Sequence, residues 1–199
     1  MVRKPASRYT FCRGTTADSP ILLPLARENG DMRAMIRFCR AICPGAPMLI
    51  PDINRILERS WSEHLVSGGM LAHRLATLID CAVQVHGLSL IPIIAVGHAE
   101  GADLGANLML THTSLLGAGI LLRPGARITP AAPGALEGIH VLLARSAGEE
   151  AVGTAGRQVG DMMKKAGATV ICERVLHHRT PGTRDAAIAR VFIAALFGA

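Results

Sequence analysis

The chain has 199 residues, half of them hydrophobic and 18% charged, a balance that suits a packed domain and excludes a disordered one. Its net charge is +6, but it has one Trp and one Tyr, and its Lys and Arg residues are scattered in runs no longer than two. That excludes a platform of stacked bases and argues against specific nucleic-acid binding, so the charge reads as a solvated basic surface.

No apolar run approaches the length needed to span a bilayer. Residues 1–9 are basic and lack the apolar core of a signal peptide. The five cysteines, Cys12, Cys39, Cys43, Cys81 and Cys172, are an odd set without a CxxC pair. They point to a reducing, cytoplasmic setting more than to disulfides or a zinc site.

Short apolar runs alternate with helical periodicity along the chain. Residues 8–12 read as a first strand. Residues 31–43 put Met32, Met35, Ile36, Cys39, Ile42 and Cys43 on one stripe, a helix that Pro44-Gly45 ends. Residues 47–51 read as a strand, and 63–86 as a long helix with Leu71, Leu75, Leu78, Ile79, Ala82 and Val83 inward. Residues 90–96, Leu-Ile-Pro-Ile-Ile-Ala-Val, are apolar on both faces, as a central parallel strand between two helical layers must be. A helix over 100–112, strands over 117–122 and 139–145, a helix over 152–166, a strand over 168–175 and a helix over 182–197 follow. The alternation predicts α/β architecture: a doubly wound, mostly parallel sheet of about six strands with helices on both faces, as a single domain over 1–199.

The strongest local pattern is Gly97-His98-Ala99-Glu100-Gly101-Ala102. A buried strand enters it and a helix leaves it, the setting of the nucleophile elbow G-x-S-x-G. In such a turn the glycines admit close backbone contact, and the central side chain is thrust above the sheet at the positive end of the new helix. The central residue here is Ala99, which has no oxygen and forms no acyl-enzyme. A plain strand-to-helix turn is the other reading of the pattern alone.

In the order of its motifs the chain resembles the small carboxylesterase/phospholipase branch of the α/β-hydrolase superfamily. Arg13-Gly14-Thr15-Thr16-Ala17-Asp18 looks like that branch's His-Gly-Thr-Gly-Gly oxyanion loop, and Leu22 to Ala26 like the loop-to-helix segment after it. Gly97 to Ala102 matches G-x-S-x-G-A, and Leu121-Leu122-Arg123-Pro124 resembles the strand end that follows the elbow helix. Residues 144–153 fall where the acid of the triad sits, and His177-His178 where the histidine sits.

The resemblance implies an α/β-hydrolase fold, no cofactor and a role for each position. Ala99 occupies the nucleophile's place. Glu149, with Glu150 as its alternate, takes the acid's place. His178, with His177 as its alternate, is the base that would take the serine proton and return it to the leaving group. The amides of Glu100 and of Thr15 or Thr16 would form the oxyanion hole, with Arg13 nearby favouring an anion. Solvated loop side chains are the plain reading of Glu149, His177, His178 and Arg13. His64, His73, His86 and His112 lie in helices or at their ends and read as solvent-facing or satisfied, not as metal ligands.

Three departures stand out: Ala99 for the serine, Arg13 for the loop's histidine, and no Asp within 144–153. Together they imply a pseudo-hydrolase that binds a small acyl or carboxylate ligand without turnover. The alternative is an active carboxylic-ester hydrolase represented by a Ser-to-Ala variant at 99. A structural or assembly role through an exposed edge strand is a third class, and homo-oligomerisation is left open.

Overall fold

The structure is a computed structural model that describes residues 8–16, 19–26, 29–57, 68–125, 128, 134–147, 150–176 and 180–198. In chain order the elements are β1 (Tyr9–Cys12), β2 (Ile21–Leu25), α1 (Asn29–Ile42), β3 (Met48–Pro51), α2 (Ile53–Leu57), α3 (Gly68–His86), β4 (Ile93–His98), α4 (Glu100–Thr111), β5 (Ala118–Leu122), β6 (His140–Ala147), α5 (Glu150–Lys165), β7 (Thr169–Leu176) and α6 (Thr183–Phe197). The strands form one sheet in the order β1-β3-β2-β4-β5-β6-β7. β1 runs antiparallel to β3, and every other neighbouring pair is parallel. The sheet is thus mostly parallel, with seven strands where the sequence suggests six.

Alternation along β4 explains the layers. Ile93 and Ala95 join one core with α3, α4 and α5, while Ile94 and Val96 join the other with α1 and α6. Successive strand side chains point to opposite faces, so a strand covered on both sides must be apolar at every position. The α1 stripe is buried as the periodicity requires, with Phe38 added to Met35, Cys39, Ile42 and Cys43. Burial, and Cys43 one turn away, push the Cys39 thiol above its usual range, so it stays neutral and packs as a small hydrophobe.

Two sequence expectations fail here. Leu22 to Ala26, likened above to a loop-to-helix segment, fall almost wholly in the fully buried strand β2 (Ile21–Leu25) between β3 and β4. Pro24 argues against a central strand because it cannot donate. The Leu22 N–H points toward β3, donating to Pro47 O at 2.9 Å. Pro24 has the same parity, so its missing donor also falls on that side, where the β2–β3 register pairs only Leu22 with Met48. Pairing with β4 runs the whole length of β2 unharmed. Second, the strand expected from residue 90 begins at Ile93. Leu90 lies in the preceding turn and is 96% exposed.

The C-terminal edge of the sheet is set by the fit of α4 against β2 and β4. A Cβ at Gly101 would overlap the carbonyl oxygen of Leu25, and one at Gly97 would overlap the carbonyl of Gly101. Both clashes are with backbone, which cannot swing aside. Among the described residues no helix is long and apolar enough to cross a membrane.

Gly101→Ala should therefore force α4 away from β2 and cost about 3 kcal/mol or more, at the upper end of overpacking effects. Urea unfolding followed by circular dichroism checks this. An unchanged midpoint would mean that the close contact is absent.

Candidate functional site

The turn between β4 and α4 sits where parallel α/β sheets place their sites, at the carboxyl ends of the strands. Ala99 caps α4 with φ 50° and ψ −118°. Only glycine visits that region at ease, and such strain persists where the surroundings impose it. The surroundings do so here. The Ala99 N–H donates to Leu122 O at 2.8 Å, and its carbonyl accepts from Ala102 at 2.9 Å and Asp103 at 3.1 Å. Gly97 and Gly101 close on each other beneath it. The result is a partly exposed methyl group at the positive end of a 12-residue helix. Glu100, exposed, and Asp103, buried, stand in the first turn of α4, where their charge complements the helix dipole.

The topology overturns the expected oxyanion loop. Cys12, at the end of β1, pairs with Met48, the first residue of β3. Ile21, the first residue of β2, pairs with Ile93, the first residue of β4. Residues 13–16 therefore lie at the amino edge of the parallel strands, across the sheet from Ala99. There Thr15 N–H donates to Gly45 O at 2.8 Å, Thr16 Oγ1 lies 2.6 Å from Ser19 Oγ, and Arg13 is exposed. Arg13, Thr15 and Thr16 are not at the site. The segment that borders the turn is the end of β2: Gly101 packs on Leu25 and Ala26. The strand leading into α1 is β2 and not β1.

Glu149, His177 and His178 lie outside the described residues. Glu150 is the first residue of α5, and its side chain is also outside them. The described strands before them, β6 and β7, end at the carboxyl edge with Ala147 and Leu176. His98 ends β4 directly before Ala99, and His140 opens β6; the helix histidines lie elsewhere. His86 stacks on Phe11 with ring centroids 4.5 Å apart, and the His73 and His112 rings lie 5.4 Å apart. His64 is outside the described residues. Among the described residues no group of three or more His, Cys, Asp or Glu could hold a metal ion.

One pair at this edge escaped the sequence reading. Arg123 directly follows β5, and its Nη2 donates to both oxygens of Asp185, at 3.0 and 2.9 Å. The two residues are 62 positions apart, so no local pattern links them. The visible signal was the Arg-Pro at a strand end.

No family model matches the sequence, and no curated protein is similar to it at a significant level. Solved structures do match. A carboxylesterase from Mesorhizobium loti superposes with a TM-score of 0.73 at 23% identity, over 94% of this chain and 93% of that one. A Bacillus cereus carboxylesterase gives 0.75 at 16% identity, over 94% and 93%. YahD, solved with malic acid, gives 0.72 at 17% identity, over 94% and 98%. The chain has the α/β-hydrolase fold.

The strain at residue 99 has a direct consequence. Ala99→Gly should relieve the unfavourable φ and stabilise the protein by about 1 kcal/mol, although glycine in general loosens the unfolded chain. Scanning calorimetry checks this. A fall in the transition temperature would show that Ala99 is not strained.

Proposed function

We propose that the chain is a pseudo-hydrolase: it binds a small acyl ligand at the turn of Ala99 and does not turn it over. The observation that carries this reading is the backbone of Ala99 itself. It holds the conformation that presents a nucleophile at a helix N-terminus, and the side chain has no nucleophilic atom. The turn is read as a nucleophile elbow. His178, or His177, is assigned as the relic base and Glu149, or Glu150, as the relic acid.

The relocated loop adds support. Residues 26–30 read Ala-Arg-Glu-Asn-Gly, with one glycine where the His-Gly-Thr-Gly-Gly pattern has three. Glycines there let a substrate oxygen approach backbone N–H groups closely. In this reading one donor is the amide of Glu100, and the second must come from the segment after β2. The solved structure of YahD with malic acid makes a carboxylate a reasonable ligand class for this fold. Glu100 and Asp103 offset part of the positive helix end, however. A neutral ester or amide carbonyl therefore meets less repulsion than a carboxylate.

The chain should hydrolyse p-nitrophenyl butyrate no faster than a heat-treated control, since losing a triad serine costs on the order of 10⁶ in turnover. Ala99→Ser should raise the rate by about 10-fold or less over background, because one oxygen cannot restore a unit whose other parts have changed. The unchanged chain should be stabilised against heat by millimolar methyl butyrate, and less by butyrate. Rescue of several orders of magnitude by the single substitution would overturn the pseudo-hydrolase reading and make the parent a serine esterase.

A further inference from the structure

Two arginines stand side by side at the outer edge of the sheet, two strands away from β4. Arg145 on β6 pairs in register with Arg174 on β7. Residues opposite each other in a parallel pair lie on one face, on strands about 4.8 Å apart. Contacts with α5 identify that face. A Cβ at Gly156 would stand 2.9 Å from Arg145 Cγ and 3.2 Å from its Cδ. One at Gly160 would stand 2.9 Å from Leu143 Cδ2 and 3.8 Å from Cys172 Sγ. The pairs Leu143–Cys172 and Arg145–Arg174 are thus successive rows on the α5 face. Like charges directly opposite each other on neighbouring strands repel.

The described residues do not neutralise this row. Glu173 lies on the other face, since its register partner Ala144 is buried in the core beneath α1 and α6. No carboxylate of a described residue pairs with Arg145 or Arg174. Arg157, exposed and next to Gly156, adds a third positive charge, and Asp161 is exposed one turn further along α5. Arg145 itself is half-buried, and its Nε is a buried N–H group without an acceptor. An N–H shut off from water and left unpaired makes the charge costly to carry, and an anion at the guanidinium offsets that cost. The arginine is also held in advance. Because residue 156 is glycine, α5 lies directly on the middle of the Arg145 stem and fixes its path.

We propose that Arg145 and Arg174 form an anion site on the α5 face of this edge, and that its ligand is the phosphoryl group of a phosphomonoester. Such a group carries close to two negative charges at pH 7 and has three acceptor oxygens, so one group serves both guanidinium forks. A single carboxylate carries one charge and leaves the repulsion half compensated. The site does not depend on the reading of Ala99.

Isothermal titration calorimetry of the full chain with glycerol 3-phosphate, at ionic strength held constant with sodium chloride, tests this. Binding with a dissociation constant of about 1 mM or tighter is expected, and acetate should bind about 10-fold more weakly or less well still. Arg174→Gln changes an exposed side chain on an edge strand and should weaken the phosphate ester by about 10-fold or more. Arg37→Gln removes the same charge from an exposed position on α1 and should leave the affinity within about twofold. Cosedimentation with phosphatidylcholine vesicles carrying phosphatidic acid distinguishes the source of the group. Binding of the free ester without cosedimentation assigns a soluble ligand, and cosedimentation that Arg174→Gln abolishes assigns a lipid headgroup. Absence of binding in both arms, acetate binding as tight as the ester, or an equal loss in Arg37→Gln would overturn the site.

Discussion

The carbonyl of Leu25 and the α-carbon of Gly101 lie closer than any side chain would allow, and the carboxyl edge of the sheet is built outward from that contact. It seats the first turn of α4 directly on the end of β2. With β4 entering from one side and α4 leaving on the other, a single residue must reverse the chain. That residue is Ala99, and its φ of 50° is the geometric remainder once both glycine contacts are satisfied. The bond from its N–H to Leu122 then ties the turn to β5.

It follows that the turn does not depend on the side chain at 99. Every constraint on it is a backbone bond or a backbone contact, so serine, alanine or glycine would be held in the same place. This separates two properties that coincide in a working hydrolase. The fold enforces the strained conformation, at a cost of order 1–3 kcal/mol, whether or not the residue does chemistry. Loss of the hydroxyl removes the reaction and leaves the architecture untouched. On the reading proposed above, the turn would therefore persist without a nucleophile.

The sequence makes the layers legible wherever a strand is apolar at every position, as in β4 and β5, because only burial on both faces requires that. It makes Ala99 legible because two glycines at fixed spacing have a steric reason to be there. It fails at β2 because Pro24 masks the strand, and the edge parity that makes Pro24 harmless depends on neighbours distant in sequence. That single miss moved the oxyanion loop to the wrong edge. The letters Arg13-Gly14-Thr15-Thr16 resemble the expected motif more than Ala26-Arg27-Glu28-Asn29-Gly30 does, but a loop's role is set by the strand it follows. The chain order of strands and their spatial order differ here, and only the register of β1 on β3 and of β2 on β4 decides the matter.

The same distinction explains how unevenly the site is specified. The turn at Ala99 is written into backbone packing, which tolerates almost no change at Gly97 or Gly101. The pair of Arg123 and Asp185 instead joins the end of β5 to the first turn of α6 through buried side-chain charges. A ligand held by a few backbone donors depends on their spacing as strictly as a transition state does. In the reading proposed above, an edge held by backbone contacts suits recognition of a ligand by backbone donors.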